Sequence, residues 1–232
     1  MSNAAATRVV VPFAAAVAFL AVFATGTAFA ATPRPSVVAE AKVPLVAVYR
    51  TRTAKRPFLR LPRRTSHGGP LVMLVKERRP GWEKVYLPVR PNGSTGWVRD
   101  RQVALSLNPY RIRVSLSART ITVWKGAKVI HHARVGVGRS SVPTPAGTYF
   151  LTGLMAQPNP WGAYGPYAFG LSAFSNVLFS FGGGPGQIGL HGTNNPSSLG
   201  TYASHGCIRM SNAGITRLAR ILPLGTPVRI RY

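Results

Sequence analysis

Acidic residues are the scarcest charged groups in this chain. Its 232 residues include only Glu40, Glu77, Glu83 and Asp100 against 29 Lys and Arg, which gives a formal net charge of +25. No Asp or Glu follows Asp100, so a cysteine–histidine site in the second half would have no carboxylate to complete a triad. The excess of positive charge favours a polyanionic neighbour such as nucleic acid, acidic lipid or an anionic cell wall.

Cysteine occurs once, at Cys207, which excludes an internal disulfide. A lone thiol is then an inert buried side chain, a metal ligand or a nucleophile. The surrounding stretch, 191–212, favours a nucleophile because it also contains His191 and His205. A histidine base can turn a thiol into a thiolate near neutral pH. Gly192 and Gly206 let the backbone approach a substrate carbonyl closely.

A zinc site formed by His191, His205 and Cys207 is the alternative. Such a site would lack a second cysteine and a carboxylate base for bound water, and a His-x-Cys spacing is unusual among zinc-ligand pairs. We therefore predict neither a metal nor a cofactor.

The sequence has one long apolar run, and it lies near the first residue. Arg8 precedes an apolar run from Val9 to about Ala24, and Ala28-Phe29-Ala30 matches a small-residue cleavage signal. The pattern predicts a signal peptide over 1–30, cleaved after Ala30, with an uncleaved anchor as the alternative. Export to a cell wall or periplasm-like space argues against nucleic acid. It favours anionic cell-wall polymers as partners of the basic surface.

Turn signals divide the remaining chain. The Pro/Ala-rich composition of 31–43 predicts a linker. Short apolar runs over 44–106, with a hairpin turn at Asn92-Gly93, predict a small barrel. Alternating apolar residues predict more strands from residue 108 onward, and Ser211 or Asn212 is a good cap for the one clear helix. The Gly/Pro/aromatic stretch 157–167 predicts a loop that either presents aromatic side chains to a substrate or packs as a rigid structural loop.

Three ordered motifs carry a family resemblance. Residues 191–195 (HGTNN) and 204–210 (SHGCIRM) resemble the signature of the L,D-transpeptidases, the YkuD-type catalytic domain. Residues 144–150 (TPAGTYF) resemble the PxGxF segment of that family, and 181–186 (FGGGPG) resemble its glycine-rich approach to the first histidine. Three motifs in one order are a specific signal. Separately, RPNGSTGWV resembles bacterial SH3-like modules.

The resemblance implies a mainly β fold. A small SH3-like barrel over 44–106 would precede a β-sandwich-like L,D-transpeptidase catalytic domain over 108–232, with one main helix after the catalytic cysteine. It also implies an enzyme with Cys207 as nucleophile and His191 as general base, steadied by the Gly192 backbone carbonyl. The family often has a hydroxyl residue where this chain has Gly192.

The remaining site residues follow from the same resemblance and from the local sequence. The Gly206 N–H would belong to the oxyanion hole, while Ser204 and His205 would shape the loop. Substrate would contact four side chains: Arg209, Trp161, Tyr164 and Asn194. Arg209 fits a substrate carboxylate or a carbonyl clamp.

The implied substrates are peptidoglycan stem peptides, and we expect the protein to act as a monomer. Transfer of the acyl group from Cys207 to an amine would cross-link two stems. Transfer to water would make the enzyme an L,D-carboxypeptidase, and transfer to a protein amine would anchor that protein to the wall. A non-catalytic wall-binding protein would keep the fold but lose the thiol or the base, and both are present here.

Overall fold

The computed structural model describes Met1, residues 34–66 and residues 68–232. Strands and a single α-helix of ordinary length build this part of the chain, so the prediction of a mainly β protein is confirmed. The predicted signal peptide after Met1, the start of the predicted linker and His67 lie outside the described residues. Over the described ranges, no helix is long and apolar enough to cross a membrane.

The first sheet has five antiparallel strands in the order β6-β5-β4-β1-β7. The strands are β1 (Ser36–Ala41), β4 (Val72–Arg79), β5 (Trp82–Tyr86), β6 (Thr95–Arg99) and β7 (Val103–Asn108). A separate hairpin joins β2 (Leu45–Val48) to β3 (Leu59–Pro62). The side chains of Val46, Val48, Val85 and Val98 form part of one buried core. This β-module carries the predicted SH3-like segment, and that likeness stays a prediction.

Strand β1 corrects the linker predicted over 31–43. Ser36–Ala41 is instead an inner strand of the first sheet, paired with β4 on one side and β7 on the other. Val38, Ala39 and Ala41 are buried. The small alanine side chains fit a crowded strand interior, but they give a composition that resembles a linker.

The second sheet has eight strands in the order β10-β9-β8-β17-β12-β13-β14-β16. Their ranges are β8 (Tyr110–Ser115), β9 (Thr120–Lys125), β10 (Lys128–Arg134), β12 (Gly147–Ala156), β13 (Tyr167–Phe174), β14 (Gln187–His191), β16 (Ile208–Arg209) and β17 (Pro227–Arg231). One buried cluster includes both Ile121 of β9 and Ile208 of β16, near opposite ends of this order. The sheet therefore curls around its core, which corrects the predicted sandwich-like arrangement.

Two shorter elements complete this half of the chain. Strand β11 (Val137–Gly138) pairs in parallel with β15 (Tyr202–Ser204). Helix α1 (Asn212–Ile221) begins at Ser211, whose hydroxyl accepts a hydrogen bond from the Gly214 N–H at 3.1 Å. Its Ile215 and Leu218 are fully buried in the core of the second sheet.

The two sheets belong to one compact unit. Val38, Val72 and Leu74 of the first sheet form a buried cluster with Phe150 of β12. Where the chain passes from one sheet to the other, the Asn108 amide donates to the Thr226 hydroxyl at 3.0 Å. Apolar burial and a buried polar contact thus join them.

Candidate active site

The register of two parallel strands brings the predicted nucleophile and base to one face of the second sheet. In the pairing of β14 with β16, Leu190 lies opposite Ile208 and His191 lies opposite Arg209. Cys207 directly precedes β16, beside Gly189. Because side chains alternate along a strand, Gly189, His191, Cys207 and Arg209 share a face. Gly189 contributes no side chain there, which leaves space between the imidazole and the thiol.

His191 is fixed by its own neighbour. Its Nδ1 donates to the Gly192 carbonyl at 2.6 Å, which leaves Nε2 as the basic nitrogen of the neutral ring. The side chain is 3% exposed. Burial lowers the pKa of His191 from 6.5 to about 4, the Gly192 hydrogen bond opposes that change, and the charge of Arg209 adds to it. The imidazole is therefore neutral at physiological pH.

Cys207 is half-buried, and its sulfur accepts a hydrogen bond from the Gly189 N–H at 3.3 Å. Burial raises the pKa of the Cys207 thiol, although the Gly189 hydrogen bond and the Arg209 charge lower it. Burial therefore favours the neutral form of both partners, whereas the sequence pattern predicts a thiolate near neutral pH. A sequence pattern does not reveal how strongly burial penalises each charge.

Two hydroxyl side chains hold the loop that carries Cys207. Ser204, almost fully buried, donates to the Cys207 carbonyl at 2.6 Å and accepts from the Gly206 N–H at 3.1 Å. Thr144 donates to the Gly206 carbonyl and accepts from the Gly138 N–H, both at 2.8 Å. The Gly206 N–H is therefore already engaged by Ser204, and its place in the oxyanion hole stays a prediction. Among the described residues, the Cys207 N–H has no hydrogen-bond acceptor.

Gly192 is glycine for a steric reason. A Cβ at this position would collide with the Asn212 side-chain oxygen, which accepts a hydrogen bond from the Thr193 N–H at 2.8 Å. The start of helix α1 thus fixes the backbone just after the base. A hydroxyl residue in place of Gly192 would require Asn212 to move.

The thiol and the imidazole open into one cavity of about 220 Å³. Tyr164 from the 157–167 loop lines it, and its ring lies 4.7 Å from the His191 ring, centroid to centroid. Sequence reasoning missed most other lining residues as site residues: Met155, Gln157, Ala168, Phe169, Gly170, Phe181, Gly184, Pro185, Gln187, Ile188 and Gly189. The FGGGPG motif could have indicated Phe181, whose ring stacks on His205 at 5.3 Å.

The structure brings only some of the predicted substrate contacts to this cavity. Trp161 is 81% exposed and lines a different cavity, against helix α1. Asn194 is exposed and does not line the thiol cavity. Trp161 and Asn194 therefore lie outside the thiol cavity, and their contact with substrate stays a prediction. Arg209 shares the face of the site, and its buried Nε has no hydrogen-bond partner among the described residues.

Carboxylates and metal clusters do not contribute to this geometry. Glu83 is buried in the first module, paired with Arg78 at 3.2 Å. Within residues 34–66 and 68–232, no three His, Cys, Asp or Glu side chains are grouped so as to hold a metal ion. The site can therefore transfer a proton between one thiol and one imidazole that line the same cavity. Those are the requirements of cysteine-dependent acyl transfer.

Comparison with known proteins gives the family. Residues 109–230 match the model of the L,D-transpeptidase catalytic domain, YkuD, and the chain belongs to this family. The prediction of an L,D-transpeptidase catalytic domain is confirmed. The putative L,D-transpeptidase YkuD of Bacillus licheniformis is 39% identical over 122 residues, 53% of this chain and 66% of that protein. The Bacillus subtilis protein of the same name is 38% identical with the same coverage.

Those figures mean that the chain spans slightly less than two thirds of the length of these curated relatives. A solved L,D-transpeptidase from Mycobacterium tuberculosis H37Rv is 18% identical, with a TM-score of 0.45, covering 70% of this chain and 90% of that one.

Proposed function

We propose that this protein is an exported L,D-transpeptidase that cross-links peptidoglycan stem peptides through a thioester on Cys207. The observation that carries the proposal is the shared cavity of Cys207 and His191, in which the Gly192 carbonyl orients the base at 2.6 Å. Family membership supports the substrate class.

The first half-reaction begins from the neutral pair. As the Cys207 sulfur attacks the donor carbonyl, its proton passes to Nε2 of His191 and a carbon–sulfur bond forms. The Cys207 N–H is the free donor for the developing oxyanion. The carbon–nitrogen bond to the terminal D-residue then breaks, and the imidazolium returns its proton to the leaving amine.

The second half-reaction mirrors the first. An acceptor amine of another stem attacks the thioester, loses a proton to His191, and the carbon–sulfur bond breaks as the sulfur regains that proton. Water in place of the amine would give an L,D-carboxypeptidase, and a protein amine would give wall anchoring. The position of Arg209 on the same strand face as Cys207 supports its assignment to a donor carboxylate, and the position of Tyr164 in the cavity supports its contact with the peptide.

Mass analysis of products from purified wall fragments tests this proposal. Cross-linked dimers that lack the donor's terminal D-residue are expected with the wild-type protein and not with Cys207→Ala. A covalent adduct on Cys207, intact after removal of free peptide, would identify the thioester. Turnover by Cys207→Ala would refute the mechanism, and shortened monomers alone would favour the carboxypeptidase.

Export and the first module complete the proposal. The apolar run after Arg8 and Ala28-Phe29-Ala30 support a signal peptide, and the net charge of +25 supports retention on anionic wall polymers. The mature protein should begin at Ala31 on N-terminal sequencing. The RPNGSTGWV segment supports an SH3-like module beside the enzyme.

A further inference from the structure

One wall of the thiol cavity is a loop with little support from its own domain. This cleft loop, residues 175–186, connects β13 to β14, and its Phe181, Gly184 and Pro185 line the cavity. Phe179 is 72% and Phe181 43% exposed. Its internal hydrogen bonds join Ser175 to Gly186, and Phe181 to Gly184 across a turn. These hydrogen bonds shape the loop and attach it to the second sheet at its two ends, and between the ends Phe181 stacks on the His205 ring.

The cleft loop is held by the first module, which is the first sheet together with the β2–β3 hairpin. Arg90, in the turn between β5 and β6, donates from Nη1 to the Ser175 carbonyl at 2.7 Å. Its Nη2 donates to the carbonyls of Leu178 and Pro185, both at 3.1 Å. One guanidinium therefore binds both ends of the cleft loop. Such charge-assisted hydrogen bonds are stronger than neutral ones, and a planar fork fixes geometry that a lysine could not.

Aromatic contacts and a second side chain reinforce this attachment. The Arg90 guanidinium lies 5.1 Å from the Phe174 ring centroid and 4.7 Å from that of Phe179. Asn92 accepts from the Phe174 N–H at 2.8 Å and donates to the Phe174 carbonyl at 2.7 Å. Its side chain thus pairs with the backbone at the end of β13 as a neighbouring strand would. Its amide also donates to Asn176 at 3.1 Å.

We propose that Arg90 and Asn92 are positioning residues, through which the first module holds the cleft loop in the conformation that binds the donor peptide. The first module is then part of the substrate cleft rather than a separate wall-binding appendage. The inference rests on the proposed function for the reaction that it affects. Neither side chain lines the thiol cavity, so both act through the loop.

The test compares Arg90→Ala, Arg90→Lys and Asn92→Ala with a matched control, Arg99→Ala. Arg99 belongs to the same module, but its guanidinium stacks on Trp82 at 3.8 Å and has no contact with the cleft loop. In Arg90→Ala, amide hydrogen exchange over residues 175–186 should accelerate about tenfold or more. The acceleration should be smaller in Arg90→Lys, which keeps the positive charge but loses the planar guanidinium that binds the three loop carbonyls. Arg99→Ala should exchange as the wild type does.

Steady-state kinetics and alkylation of Cys207 distinguish a positioning role of Arg90 from a general loss of folding. With a soluble tetrapeptide donor, Arg90→Ala should raise KM roughly tenfold while kcat changes less than about twofold. Alkylation of Cys207 by iodoacetamide should keep its wild-type rate, because the nucleophile and base are untouched. Unchanged exchange in the cleft loop, or faster exchange with an unchanged KM, overturns the inference. If wild-type protein processes no wall peptide, the proposed function fails, while the exchange result still decides whether Arg90 holds the loop.

Discussion

The protonation state of the Cys207–His191 pair can be predicted from burial. Burial raises the pKa of the Cys207 thiol and lowers the pKa of His191 from 6.5 to about 4, so both shifts oppose transfer of the proton from sulfur to imidazole. The shift of His191 alone costs the imidazolium about 3 kcal/mol. We therefore expect the thiolate–imidazolium pair to be a minor population at neutral pH.

The ultraviolet absorbance of the thiolate measures this population directly. Cys207 is the only cysteine, so the difference between wild-type protein and Cys207→Ala reports one sulfur. We expect little thiolate signal at pH 7, with the rise at a higher pH than for an ordinary cysteine thiol, because burial raises the pKa of Cys207. His191→Gln should change this titration little, because His191 is neutral in the resting site.

A preformed ion pair would give the opposite result. The thiolate signal would already be complete near pH 6, and His191→Gln would abolish it. That outcome would refute the reasoning from burial and restore the expectation based on sequence. The pH dependence of turnover alone cannot distinguish the two forms, since both contain the same number of protons.

Four further predictions follow from the same geometry. His191 binds its proton less tightly when folded, so its contribution to stability is complete above pH 6.5 and is lost as pH falls from 6.5 to about 4. That loss is about 3 kcal/mol, and denaturant titrations should find it in wild-type protein but not in His191→Gln. Gly189→Ala should fold normally, because the new methyl group meets neighbours at ordinary contact distances, but it should lower kcat by filling the space between thiol and imidazole. Gly165→Ala, which would collide with the Gly192 backbone, should lower the melting temperature instead. Thr144→Val should cost about 2 kcal/mol in denaturant titration, because it leaves two buried backbone groups unpaired. Glu83→Gln should leave kcat/KM within about twofold of wild type, and a larger loss would show that the distant carboxylate matters.

Local patterns predicted the parts of the protein that depend on local chemistry. Alternation indicated β8 and β9, and Ser211 indicated the start of α1, because strand faces and helix caps are set by neighbouring residues. The HGTNN and SHGCIRM motifs brought His191 and Cys207 together in the prediction, although 15 residues lie between them.

Features that depend on long-range packing were out of reach. The alanines of β1 carry no alternation signal, and only its partners on both sides identify it as an inner strand. The engagement of the Gly206 N–H by Ser204 depends on how the loop folds back on itself. Arg90 donates a hydrogen bond to the carbonyl of Ser175, 85 residues further along the chain, and so supports one wall of the cavity. No periodicity in the sequence indicates such a contact.

The missing carboxylate and the neutral resting pair have a common electrostatic explanation. A carboxylate beside His191 would stabilise the imidazolium and favour an ion pair, whereas the Gly192 carbonyl orients the ring without adding a full charge. Arg209 lowers the pKa of both partners, so it opposes the imidazolium and supports negative charge on sulfur. If a donor carboxylate binds Arg209, as we propose, its charge offsets that of Arg209, and the pKa values of His191 and Cys207 rise together. Donor binding by itself would then leave the pair neutral, and the proton would move to His191 only as the sulfur attacks the donor carbonyl.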